Sequence, residues 1–162
     1  IRNISMILMR AYRLFLELVA FCRLVVVGRR IVLVDFDFTL AIHRKSKAES
    51  GWDLAASNVN HTLISKLKCQ EYYIFTARGL GSRRDLRNWL NQEQLSVKGI
   101  LCVGSTEGKI RIVRRLLRLG IKSIVWYDDL TDVNFDMSVG KKHDINIHDK
   151  NLIFWHLNLT ME

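Results

Sequence analysis

Ile31-Val32-Leu33-Val34-Asp35-Phe36-Asp37-Phe38-Thr39 decides how the rest of the chain is read. Its first four residues are wholly apolar and mostly β-branched, and the run is too short for a helix. Such a run reads as a strand buried on both faces of a parallel sheet. It ends abruptly in two carboxylates and a hydroxyl.

The same grammar recurs downstream. Tyr72-Tyr73-Ile74-Phe75, Ile100-Leu101-Cys102-Val103 and Ser123-Ile124-Val125-Trp126-Tyr127 are further apolar runs, and Leu152-Ile153-Phe154-Trp155 is a fifth. Helical patterns separate them. Ser57 or Asn58 is positioned to cap a helix with Val59, Leu63 and Leu67 inward. Ser82-Arg83-Arg84-Asp85 has the form of a capping box ahead of Leu86, Trp89 and Leu90. Ser105 or Thr106 opens a helix with Ile110, Val113, Leu116 and Leu117 inward, ending at Gly120. Strands alternating with helices predict right-handed crossovers and an α/β fold, a three-layer α/β/α sandwich around a mainly parallel sheet. At 162 residues this is one domain.

In such sheets functional groups gather at the carboxyl ends of the strands. There the sequence sets Asp35, Asp37 and Thr39, then Thr76 and Arg78, then Gly104 and Ser105, then Asp128 and Asp129. Asp35 and Asp37, two apart on an extended chain, point the same way. Adjacent carboxylates repel, and a cation or a shared proton resolves the repulsion. Hard oxygen ligands favour Mg²⁺ over softer metals. Asp35 suits a nucleophile that passes through an aspartyl-phosphate, with Asp37 protonating the leaving oxygen. Thr76 is placed to bond a transferring phosphoryl group, and Lys109, near a helix start, to neutralise it.

These motifs, in this order, resemble the haloacid dehalogenase superfamily of phosphohydrolases. The carriers are Val34-Asp35-Phe36-Asp37-Phe38-Thr39-Leu40, Ile74-Phe75-Thr76-Ala77-Arg78, Gly108-Lys109 and Trp126-Tyr127-Asp128-Asp129, over roughly Ile31 to Phe154. The resemblance implies a Rossmann-like core over residues 31–162 that hydrolyses a phosphomonoester. It implies Asp35 as nucleophile and magnesium ligand, and Asp37 as general acid/base coordinating through its carbonyl. It implies Thr76 and Lys109 on the phosphoryl group, Asp129 as metal ligand with Asp128 beside it, and Thr39 and Arg78 on the substrate. Asp132 and Asn134 are candidates for support. One departure is Phe38, where many members carry Gly; this changes the turn or narrows the mouth.

The short spacing between motifs implies a capless or minimally capped member. An open mouth suits a large or anionic substrate: a nucleic-acid end, a phosphoprotein or a polymer-linked sugar. A small-metabolite phosphatase is the alternative, and a phosphate-binding scaffold without turnover is the reading from another class. A receiver-type signalling domain is disfavoured, because Gly104 and Ser105 stand where its phosphoacceptor Asp would be. Residues 41–54, with His43, Arg44, Lys45, Lys47 and Trp52, read as a small flap.

The net charge is +9, from 25 Lys and Arg against 16 Asp and Glu, which favours anionic partners such as phosphorylated substrates or nucleic acid. Arg83, Arg84 and Arg87 share one helix; Arg111, Arg114 and Arg118 line one face of the next. The alternative for that stripe is a solvated helix face. His43, His61, His143, His148 and His156 show no ligand spacing. Cys22, Cys69 and Cys102 form neither a metal motif nor a disulfide framework, so reduced, mostly buried thiols and a cytoplasmic setting are expected. Residues 1–30 read as an amphipathic helix packed on or appended to the domain. The run from Leu14 to Val27 is too short and too interrupted by Glu17 and Arg23 to span a bilayer. Arg10 and Arg13 before it resemble the start of a signal peptide, without a convincing cleavage site. Peripheral membrane contact by this helix is the alternative.

Overall fold

The computed structural model describes residues 2–28, 30–43, 54, 57–130, 133–136, 141–144 and 150–156. Helix α1 (Arg2–Val27) leads into strand β1 (Ile31–Val34). A short ladder of β2 (Ala41–Ile42) with β3 (Asn58–Val59) follows, then α2 (His61–Leu67) and β4 (Tyr73–Thr76). A 3-10 turn at Leu80–Ser82 opens α3 (Arg83–Gln92), followed by β5 (Gly99–Cys102), α4 (Thr106–Arg118) and β6 (Ile124–Asp128). The hairpin of β7 (Val133–Asp136) and β8 (Lys141–Asp144) precedes β9 (Leu152–His156).

The main sheet has five strands in the order β5-β4-β1-β6-β9, and every pairing is parallel. Alternation along each strand sorts the side chains between two cores. Ile31, Leu33, Phe75, Leu101, Ile124 and Trp126 face α1 and α4. Val32, Val34, Ile74, Ile100, Val125 and Tyr127 face α2 and α3. Both faces of β1, β4 and β6 are therefore covered, which is why these strands carry unbroken apolar runs. The outcome is the α/β sandwich expected from the sequence, with helices on both sides of a parallel sheet. The edge strand β9 is covered less: Ile153 is 53 % and Trp155 45 % exposed.

The strand order reverses at β1. The chain moves outward from β1 to β4 and β5, then returns through α4 to β6 on the other side of β1. The reversal falls between β1 and β6, and the carboxyl ends of such a strand pair are where doubly wound sheets take their ligands. The β1–β6 ladder runs to that edge, since Asp35 N donates to the Tyr127 carbonyl at 2.9 Å.

Several local expectations are corrected. Neither Ser57 nor Asn58 caps α2. Asn58 and Val59 are drawn into β3 by pairing with Ile42 and Ala41, and Asn60 caps instead, its side chain accepting from Leu63 N at 3.0 Å. Ser82 makes no side-chain cap on α3, because the preceding 3-10 turn places it in helical conformation. Ser105 does cap α4, accepting from Gly108 N at 3.0 Å, and Gly120 takes the left-handed conformation after its end (φ 81°). The thiols are not mostly buried. Cys102 is, but Cys22 lies on the outer side of α1, and Cys69 sits in the turn after α2 with φ 68°; both are exposed. Arg111, Arg114 and Arg118 are all exposed, as a solvated face requires, and Arg111 in addition turns to Glu17 of α1, donating at 3.1 and 2.5 Å. Glu17 is fully buried in this α1–α4 contact. Of the expected flap, residues 44–53 lie outside the described residues, as do Asp132 and His148; β7 holds Asn134 and β8 holds His143.

Candidate active site

Lys109 lies in the first turn of α4, where Ser105 fixes the helix start. Gly108 lets that start approach its neighbours closely. A Cβ there would lie 2.7 Å from Val103 Cγ1 and 3.0 Å from Glu17 Oε1. The ammonium is thereby delivered between two strand ends. Lys109 Nζ donates to Asp35 Oδ1 at 2.7 Å and sits 2.6 Å from Asp128 Oδ2. All three side chains are buried. Asp128 is held further by Trp126 Nε1 at 2.8 Å on Oδ2 and by Leu130 N at 3.2 Å on Oδ1.

Asp129 completes the cluster. Carboxylate oxygens of Asp35, Asp128 and Asp129 lie within 4.8 Å of one another. Burial pushes the Asp35 carboxyl well above its ordinary value; Lys109 opposes this, and Asp128 and Asp129 add to it. Burial, then the neighbouring Asp128, push Asp129 up to about 7. Burial lowers the Lys109 pKa, but Asp128 and Asp35 more than reverse that and hold it above its ordinary value. Three carboxylates thus face one ammonium, which is strong local pressure for further positive charge. The donors are hard oxygens, and Asp129 is the partly exposed member on the solvent side of Asp128. A divalent cation of the magnesium type fits this set by charge and ligand chemistry.

Asp37 is managed separately. Arg78 Nε and Nη2 donate to its two oxygens at 2.8 and 2.6 Å, a bidentate pair. His43 Nε2 lies 2.7 Å from Asp37 Oδ1, and His43 Nδ1 lies 2.6 Å from Ser57 Oγ. Burial raises the Asp37 carboxyl, yet the bonds from Arg78 and His43 outweigh it and hold the group below its ordinary value. Thr76 is buried at the end of β4, where its hydroxyl accepts from Arg78 N at 3.2 Å. Thr39 is fully buried, and its hydroxyl has no hydrogen-bond partner among the described residues. Its carbonyl accepts from Asn60 Nδ2 at 2.9 Å.

The turn carrying Asp37 explains the missing glycine. Phe38 has φ 57°, the left-handed region where a side chain costs about 1–2 kcal/mol. The turn is secured by Phe38 N to Ala41 O at 2.9 Å and Ala41 N to Phe36 O at 2.8 Å. The Phe38 ring meets His43 edge-on, with centroids 5.2 Å apart. Phe38 thus accepts the strain and packs against the residue that holds Asp37.

Of the residues singled out in the sequence, Asp35, Lys109, Asp128 and Asp129 converge on one point, and Asp37, Arg78 and Thr76 on a second beside it. Arg78, expected on substrate, has its guanidinium on Asp37. His43 was expected only within a flap over the site, and Ser57 only as a helix cap. Spacing carried no sign of them; the tight turn at 36–41 brings His43 back beside Asp37. At the start of α3, a groove of about 470 Å³ is lined by Leu80, Arg83, Arg84 and Arg87. Arg83 Nε is buried, with no hydrogen-bond partner among the described residues. No protein-family model, curated protein or solved structure matches this chain.

Proposed function

We propose that this protein is a magnesium-dependent phosphomonoester hydrolase of the haloacid dehalogenase type, acting through an aspartyl-phosphate on Asp35. The observation that carries the reading is the buried Asp35–Lys109–Asp128 cluster with Asp129 beside it, at the reversal of strand order. Asp35, Asp129 and Asp128 would hold Mg²⁺, together with the Asp37 carbonyl that the resemblance implies. The ion, when bound, would neutralise charge on the phosphoryl oxygens.

A carboxylate oxygen of Asp35 attacks phosphorus, and the bond from phosphorus to the leaving oxygen breaks. Asp37 gives that oxygen its proton. Water then attacks the phosphorus of the acyl phosphate and passes a proton to Asp37, releasing inorganic phosphate and restoring Asp35. Lys109, and Thr76 through its hydroxyl, balance charge on the transferring group. The Arg78 pairing gives Asp37 a way to become an acid. Phosphoryl oxygens compete for the guanidinium, and a carboxyl released from it regains its proton more readily. The arginine groove at the start of α3 favours a substrate with further negative charge, such as a nucleic-acid end, over a small sugar phosphate.

The test is hydrolysis of an aryl phosphate in Mg²⁺ by the wild type and by Asp35→Asn, followed by a substrate screen. Turnover is expected for the wild type, is abolished by chelation, and falls by several orders of magnitude in the variant. Wild-type-like turnover by Asp35→Asn would remove the nucleophile and the reading with it. End-phosphorylated oligonucleotides, phosphopeptides and sugar phosphates then identify the substrate class.

A further inference from the structure

Helix α1 has two apolar faces, and the domain uses one. Leu16, Ala20 and Leu24 are buried against α4 and the sheet. On the opposite side Ile7, Leu8, Leu14, Phe15, Leu18 and Val26 are 55 to 87 % exposed. At about 100° per residue these six form one continuous stripe, about 28 Å from end to end. A soluble surface scatters its exposed apolar residues singly; a stripe of this length marks a contact.

The rim of the stripe says what covers it. Arg10 borders it beside Leu14, Arg23 borders it beyond Val19, and both are exposed. Glu17 is the one acidic residue of α1, and it is buried on Arg111. The exposed surface of the helix is therefore apolar with a purely cationic rim, on a chain of net charge +9. A second copy docking through the same stripe would bring like-charged rims together. No helix among the described residues is long and apolar enough to cross a membrane. We infer that α1 docks the protein on an anionic phospholipid surface, the stripe entering the acyl boundary and Arg10 and Arg23 meeting lipid phosphates.

The experiment is flotation of the full chain with vesicles of phosphatidylcholine, alone or mixed with phosphatidylglycerol. Binding is expected to the mixed vesicles and to weaken with salt. Leu14→Gln/Leu18→Gln should weaken it at least about tenfold. Both leucines are exposed, so the thermal melt of that variant should match the wild type. Leu119→Gln, at an exposed leucine outside the stripe, should bind normally. Absence of binding to mixed vesicles overturns the inference, and so does equal binding to both vesicle types. Full binding by a folded Leu14→Gln/Leu18→Gln overturns it as well. A concentration-dependent dimer that this variant abolishes, without vesicle binding, assigns the stripe to a second copy instead.

Discussion

Asp129→Asn should act in opposite directions on the metal-free and the magnesium-loaded protein. In the folded chain the Asp129 carboxyl sits at about 7 against an ordinary 3.8, raised by burial and by Asp128. A carboxyl raised on folding contributes fully to stability below its unfolded value and loses that contribution as pH rises through the folded one. About three pH units at about 1.36 kcal/mol each set a ceiling of about 4 kcal/mol. Asp129 is partly exposed, so screening leaves about 1–2 kcal/mol. In chelator at about pH 8, Asp129→Asn should therefore melt about 4 °C above the wild type. The gap should narrow as pH falls toward about 5, where the wild-type carboxyl is protonated in the fold. With magnesium added the order should reverse, because the wild type gains binding energy that the variant lacks. Thermal melts across pH, with and without magnesium, read both effects. A variant that melts at or below the wild type in chelator at about pH 8 would refute the crowding of charge on which the metal site rests.

Other perturbations test the supports of the site. His43→Ala removes one of the two donors on Asp37, so the alkaline limb of the pH profile of kcat should move upward. Its stability deficit at neutral pH should shrink as pH falls below the ordinary carboxyl value of 3.8 and on through the lower folded one. An unmoved limb would detach His43 from the chemistry. Arg111→Ala should destabilise more than Glu17→Gln, by about 1–3 kcal/mol in a thermal or denaturant melt, because it strands a buried carboxylate while Arg111 can turn to water. Equal losses would mean that the pair does not organise the α1–α4 contact. Gly108→Ala should cost about 1–3 kcal/mol through its contacts with Val103 and Glu17. It should also lower kcat by displacing Lys109; stability lost with kcat intact would separate Gly108 from the site.

The fold was legible where burial was two-sided. β1, β4 and β6 are enclosed by helices, so their sequences are uninterrupted apolar runs that no surface requirement disguises. The ladder at Ala41–Ile42 and Asn58–Val59 was not legible, since two-residue strands have no periodicity. Its formation moved the cap of α2 from Ser57 or Asn58 to Asn60. The capping-box pattern at Ser82 misled because local sequence does not register the 3-10 turn before it. Carboxylates at strand ends were readable as a group for the same reason that the strands were. The partner of Asp37 was not: His43 reaches it through a turn held by backbone bonds and by a left-handed Phe38.

Glu17 shows most plainly why spacing alone underdescribes the site. In the sequence it is an interruption of an apolar run; in the fold it fastens α1 to Arg111 and lies against the start of α4. Gly108 permits that closeness, and the next residue is Lys109. The position of the ammonium between Asp35 and Asp128 therefore rests on packing against a helix that supplies none of the cluster's side chains. α1 also meets the loop after β4 through Tyr12, whose hydroxyl accepts from Leu80 N at 3.1 Å, beside the arginine groove. A helix tied both to the lysine that balances Asp35 and to the loop beside the groove cannot be displaced from the sheet without disturbing both.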